Sequence, residues 1–188
     1  AQKLHEDDRL YDVGDTIFIG STPLGNSSLS LYLREYHDNA LSMYPAIGNV
    51  KEGRLPEEAI EIALSEDALQ YLGLDAVIGD TVSLDLSVSV MDGSLSELEY
   101  SADFVLTGIL ESSYIGYASG TVEGIVGEGT AEELLPEEYL LYSTDFKTYD
   151  KQNFQSIIYA LAEDLNVDER YIHCLLYTSP SPRDRTRS

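Results

Sequence analysis

Thr81-Val82-Ser83-Leu84-Asp85-Leu86-Ser87-Val88-Ser89-Val90 is answered a few residues later by Leu98-Glu99-Tyr100-Ser101-Ala102-Asp103-Phe104-Val105-Leu106. In the first run Val82, Leu84, Leu86, Val88 and Val90 are apolar and every intervening residue is polar. A period of two places all the apolar side chains on one face of a half-buried sheet. Leu98, Tyr100, Ala102, Phe104 and Leu106 repeat the pattern on the return. Between the runs lies Asp92-Gly93, a pair suited to a two-residue hairpin turn because both central positions of that turn need positive φ. A wider loop that takes in Ser94 to Glu97 is the alternative. Two long antiparallel strands are therefore expected.

The residues before the hairpin extend this unit. Ser65-Glu66-Asp67 reads as an N-cap followed by acids in the first helical turn, where the positive end of the helix dipole favours them. Ala68, Leu69 and Leu72 supply the buried side, and Gly73 stands where a helix-ending residue is wanted. Glu61-Ile62-Ala63-Leu64-Ser65 is a strand leading into that helix, and Ile78-Gly79-Asp80 is a turn leading out towards the hairpin. Strand, short helix, turn and hairpin make a packed α+β module.

The order of these pieces carries a resemblance. Gly53-Arg54-Leu55-Pro56, Glu61-Ile62-Ala63-Leu64-Ser65, Gly73 after Leu72, Ile78-Gly79-Asp80-Thr81-Val82 and Phe104-Val105-Leu106-Thr107-Gly108-Ile109-Leu110 follow one another as in a known domain. The set resembles the extracytoplasmic core domain of FtsX-like ABC transporter permeases of the MacB-like class. It is firmest over 53–110 and looser at Ala40–Tyr44 and Leu140–Tyr171. The loop between Leu86 and Ser101 is longer than in compact members. The resemblance implies a multi-pass parent protein in the cell membrane, with this segment on the extracytoplasmic side. A separate cytoplasmic ATPase subunit would be its partner, reached through membrane helices outside this segment. Gly53, Gly73, Gly79 and Gly108 would then serve turns and close packing, which are structural roles.

Composition bounds the alternatives. With 188 residues, 43% of them hydrophobic, the chain can bury a real core and is not disordered as a whole. A formal charge of −23 argues against nucleic acid, whose phosphates require Lys and Arg. It suits a cationic peptide or the basic patch of a partner protein. No window of eighteen apolar residues occurs, so no membrane span is expected within the segment.

The last fifteen residues, 174–188, differ from the rest. Cys174-Leu175-Leu176-Tyr177-Thr178-Ser179-Pro180-Ser181-Pro182-Arg183-Asp184 resembles a translated sequencing adapter, and three of the eleven basic residues lie beyond Tyr177. Residues 1–173 are therefore read as a fragment of an extracytoplasmic permease domain and 174–188 as a non-native tail. Without the tail the chain has no cysteine, hence no disulfide and no thiol nucleophile, and its charge becomes −25. Deleting Cys174–Ser188 is expected to leave the melting temperature unchanged. A fall of several degrees on thermal denaturation would show that the tail packs.

Elsewhere the pattern is more uneven. Ala1–Tyr11 is the end of a helix or a linker, and Asp15–Gly20 a short strand. Ser21–Ser30 is a loop by composition. Leu29, Leu31 and Leu33 form a strand, and Asp38-Asn39 cap a helical turn ended by Pro45. Gly108–Gly129 is a glycine-rich excursion between two small lobes, and Glu137–Thr144 a strand. Phe154, Ile157, Ile158, Leu161, Ala162 and Leu165 make the apolar stripe of a helix. Its polar face lacks the Lys and Arg of a membrane-surface helix, so it is expected to face the core or dock a lobe.

No catalytic constellation emerges. Gly116-Tyr117-Ala118-Ser119-Gly120 misses the G-x-S-x-G spacing of a nucleophile elbow. Gly124, Gly127 and Gly129 do not make a dinucleotide fingerprint. Asp7, Asp8, Asp12 and Asp15 miss the EF-hand spacing, although scattered carboxylates leave calcium open. His5, His37 and His173 are too far apart to suggest zinc. Glu57-Glu58, Glu132-Glu133 and Glu137-Glu138 read as solvated faces. The expectation is an α+β domain with a mixed sheet, a long hairpin and a few short helices. It has no catalytic, cofactor or metal residues, and it transmits ATP-driven motion or contacts a substrate or partner outside the membrane. A secreted acidic binding module and an acidic hydrolase with carboxylates drawn from distant positions are the rival readings.

Overall fold

The hairpin forms in the register its alternation requires. In a computed structural model, which describes residues 2–91, 95–112, 120–150 and 152–166, strand β5 (Thr81–Met91) pairs antiparallel with β6 (Leu95–Leu110). Pairing runs from Thr81 opposite Val105 to Met91 opposite Leu95. Three residues therefore separate the last pair, one more than a two-residue turn, and Leu95–Glu97 belong to the strand. Asp92-Gly93 itself lies outside the described residues. Val82, Leu84, Leu86 and Val88 are buried on the same face as Ala102, Phe104 and Leu106.

The remaining elements are α1 (Gln2–His5), β1 (Leu10–Pro23), β2 (Ser30–Tyr36), β3 (Val50–Gly53), β4 (Glu61–Ser65) and α2 (Glu66–Leu72). After the hairpin come β7 (Thr121–Val126), α3 (Thr130–Leu134), β8 (Leu141–Thr148) and α4 (Phe154–Leu165). The chain divides into two compact units, Ala1–Lys147 and Thr148–Ser188. In the first unit the strand pairings close on themselves. β1 pairs with β2, β2 with β7, β7 with β4, β4 with β6 and β6 with β5, and β5 returns to β1 where Ser87 faces Ser21. The β2–β7 and β4–β6 pairs are parallel and the others in the ring antiparallel. Off the ring, β3 pairs with β6 and β8 with β1.

Closure explains the inward apolar sets. Ile19, Leu31, Leu33, Ile62, Leu64, Phe104 and Leu106 are all fully buried, one or two from each contributing strand, in a single core cluster. Side chains fill the interior of a small closed sheet in this way. A smaller cluster of Ala63, Leu110 and Ile125 is packed by Leu41, Ile47, Val50 and Leu55. The start of α2 follows the expected cap, with Ser65 Oγ accepting from the Ala68 N–H at 3.2 Å. Gly73 closes that helix at φ 73°.

The Gly-Arg-Leu-Pro segment is tied to the strand after it. Arg54 donates from both terminal nitrogens to Glu61, at 2.8 and 2.5 Å, and the N–H groups of Glu57 and Glu58 donate to the same carboxylate. The guanidinium, with these N–H groups, holds the Glu61 pKa at about 2, below its ordinary 4.5. A depressed folded pKa contributes stability that is present above the unfolded value and lost as pH falls through the folded one. The gap in melting temperature between the native chain and Glu61→Gln should therefore be full at neutral pH and close between pH 4.5 and about 2. A gap constant across that range would show that the ion pair is not its source.

Several boundaries differ from the sequence expectation. The loop at Ser21–Ser30 shrinks to residues 24–29, because Ser21, Thr22 and Pro23 pair with β2 and lengthen β1. Asp38 and Asn39 do not cap the following turn. It is a single 3₁₀ turn, Leu41–Met43, whose cap position is Ala40, and Asp38 sits at φ 51° instead. The expected strand Glu137–Thr144 begins with a 3₁₀ turn, Glu137–Tyr139, after Pro136, and β8 starts at Leu141.

The largest correction concerns Gly108–Gly129. Among its described residues the two ends belong to the ring and not to an excursion between lobes: Gly108–Leu110 finishes β6, and Thr121–Val126 is β7. The glycine that disguised β7 is there for close approach. A Cβ at Gly124 would lie 2.6 Å from Leu33 Cδ2 and 2.7 Å from Leu64 Cδ2. In the second unit α4 forms as its stripe predicts, with Leu161 and Ala162 buried and Gln155, Ser156, Tyr159, Glu163 and Asp164 exposed.

Candidate functional site

Because the hairpin turns its apolar residues inward, its polar residues form one outer face. Ser83 stands opposite Asp103, Asp85 opposite Ser101, Ser87 opposite Glu99 and Ser89 opposite Glu97. Each rung thus pairs a serine with a carboxylate, so that no two like charges are directly opposed. Ser83 Oγ donates to Asp103 at 2.5 Å and Ser101 Oγ to Asp85 at 2.6 Å. No Lys or Arg occurs from Thr81 to Leu110, so the four carboxylates keep their negative potential. None of these serines has a histidine on its rung. The arrangement suits attraction of a cation and lacks the base that a nucleophilic serine needs.

Two grooves open among the described residues of the first unit. One, of about 470 Å³, lies where β1 meets β5 and includes Ser21, Thr22, Asp85, Ser87, Glu99 and Tyr100. The other, of about 360 Å³, has Leu69, Leu74, Ala76, Val77, Ile78 and Ile109 in its wall, with Glu52 and Glu66 beside them. Lys51 pairs with Glu66 at 2.7 Å.

A buried carboxylate organises another part of the unit. Glu35, on β2 and only 1% exposed, accepts from the Gly129 N–H at 2.9 Å and from the Ala131 N–H at 2.7 Å. It thereby satisfies donors at the start of α3, which have no partner within the helix. His37 Nε2 lies 2.7 Å from the same carboxylate, at an angle that forms no hydrogen bond, and its Nδ1 is 3.4 Å from Glu128. These contacts make Glu35 a structural anchor.

The acids weighed from sequence separate in space. Asp7 accepts from Arg9, which holds its carboxyl below the usual range. Asp12 pairs with Lys147 at 2.8 Å, and Asp8 is exposed. Glu57, Glu58, Glu132, Glu133, Glu137 and Glu138 are all exposed, as solvated faces should be. Residues 116–119, His173 and the tail 174–188 lie outside the described residues. Gly127 and Gly129 serve the entry to α3.

One grouping that spacing along the chain does not reveal is His5, Asp15 and Asp38. His5 Nε2 is 3.0 Å from Asp15 Oδ2 and 3.8 Å from Asp38 Oδ2, and one donor atom from each of the three lies within 4.8 Å of the others. Asp15 Oδ1 accepts from Thr144 Oγ1 at 2.5 Å. The three residues come from α1, β1 and the turn after β2, and only the pairing of β1 with β2 brings Asp38 back to Asp15. Among the described residues no helix is long and apolar enough to cross a membrane.

A closed mixed sheet with short helices defines the class of α+β domain, and this fold has a solved counterpart. The periplasmic region of MacB from Actinobacillus actinomycetemcomitans is similar to this chain with a TM-score of 0.51 and 16% identity, over 88% of this chain and 71% of that one. The likeness is one of fold: this chain and that periplasmic region share one architecture. No family model matches the sequence, and a search of curated proteins gives no match.

Proposed function

We propose that this chain is the extracytoplasmic domain of an FtsX-like ABC transporter permease of the MacB-like class. The observation that carries the reading is the agreement between the ordered motifs of residues 53–110 and a fold shared with a periplasmic region over 88% of the chain. In this reading the parent protein crosses the cell membrane several times and a cytoplasmic ATPase subunit hydrolyses ATP. The domain is not an enzyme; it transmits motion outward or holds a substrate or partner. The serine–carboxylate face of the hairpin supports a cationic peptide or basic partner surface as what it meets.

The test is the DNA on either side. Apolar spans of about 20 residues flanking the segment, with an ATPase gene adjacent, are expected. A signal peptide followed by a stop codon near Tyr171 would overturn the reading in favour of a secreted acidic binding module. For the partner, cationic and anionic peptides are titrated against the protein at low and high salt. Cationic binding that weakens with salt is expected, since exposed charges are screened beyond about 8–10 Å near physiological ionic strength. Tight, salt-insensitive binding of an anion would sink the cationic-partner assignment. Neither ATP hydrolysis nor nucleic-acid binding is expected of the isolated chain.

A further inference from the structure

We propose that His5, Asp15 and Asp38 form a binding site for a divalent transition-metal ion, with zinc the ion whose chemistry fits the donors. Imidazole suits zinc and its neighbours, whereas calcium sites are built from oxygen alone. Ligand atoms bound tetrahedrally to zinc at about 2.0–2.2 Å lie roughly 3.3–3.6 Å from one another. The His5–Asp15 separation of 3.0 Å is slightly short of that range, and the His5–Asp38 separation of 3.8 Å is slightly beyond it. Closing the difference asks little of Asp38, whose side chain is 60% exposed.

The surroundings favour an ion at this point. Asp15 is only 16% exposed, and Thr144 holds its Oδ1 so that Oδ2 stays turned to the imidazole. Such an outer partner fixes a metal-binding carboxylate in place. Lys147, the cation of β8, is engaged by Asp12. With His5 neutral, the two carboxylates carry two negative charges that a dication neutralises, and water completes the coordination. The competing arrangement is a protonated His5 shared between the two aspartates.

The two are distinguished by titrating Co²⁺ into the full chain carrying Cys174→Ser, which removes the only thiol. The expected result is one saturable equivalent with visible ligand-field bands, displaced by Zn²⁺, and a melting temperature raised by Zn²⁺. His5→Ala and Asp38→Asn, both in exposed positions, should each weaken binding about tenfold or more while leaving the metal-free melt in place. Absence of saturable binding, or binding that persists undiminished in both variants, overturns the proposal and leaves the ion pair. Diffuse association with the acidic surface behaves in the second way, and it also fades with added salt.

Discussion

Leu86→Asp is expected to abolish the cooperative melt of the first unit, whereas Ser87→Lys should shift it by no more than about 2 °C. The two positions are neighbours on β5 and differ only in the face they present. Leu86 is 3% exposed and belongs to the core cluster that fills the closed sheet. A carboxylate there meets no cation: the residue opposite is Tyr100, whose hydroxyl already donates to the Ile19 carbonyl at 2.7 Å. Burying an unpaired charge costs several kcal/mol, a large part of the roughly 5–15 kcal/mol that a domain has in total. Ser87 lies on the outer face opposite Glu99, so a lysine there gains an opposite charge across the rung. Ser87→Asp, which the alternation alone would treat as harmless, sets two carboxylates against each other and costs about 0.2–1 kcal/mol. Thermal denaturation of the three variants checks the register. Equal melts for Leu86→Asp and Ser87→Lys would show that the faces are assigned the wrong way round.

Glu35→Ala is the second large effect. The substitution removes the acceptor of two N–H groups at the start of α3 and leaves the Ala131 donor in a buried setting and the Gly129 donor in a partly buried one. Hydrogen bonds to a charged group contribute about 1.5–3 kcal/mol each, and a buried donor left unpaired adds a penalty of its own. A loss of about 3 kcal/mol or more follows, which is roughly 6–12 °C in melting temperature for a domain of this size. Glu35→Gln keeps an acceptor oxygen and should lose about half as much. If both variants melt like the native chain, α3 does not depend on this carboxylate. Amide exchange at Gly129 and Ala131 gives a local readout, since both should lose protection in Glu35→Ala before the β-ring does.

The parts of this protein that the sequence specifies by itself are those whose signal lies within a few residues. The β5–β6 hairpin is written in a period of two, α4 in a stripe at helical spacing, and α2 in Ser65 at one end and Gly73 at the other. Each of these is decided by which side chains share a face or cap a neighbour, and local geometry suffices for that. That the hairpin has a polar outer face was legible for the same reason, while the pairing of each serine with a carboxylate across it came from the register.

The tertiary structure alone decided how the sheet closes. β7 was hidden because Gly124 weakens the strand signal, and the reason for that glycine is the side chains of Leu33 and Leu64 from two other strands. Ser21, Thr22 and Pro23 look like a loop until β2 offers them a partner. The Glu35 carboxylate meets N–H groups 94 and 96 residues away, and His5 meets Asp15 and Asp38 from separate elements. A short-range pattern carries no trace of such contacts, because their energy comes from groups that only the closed ring of strands brings within reach.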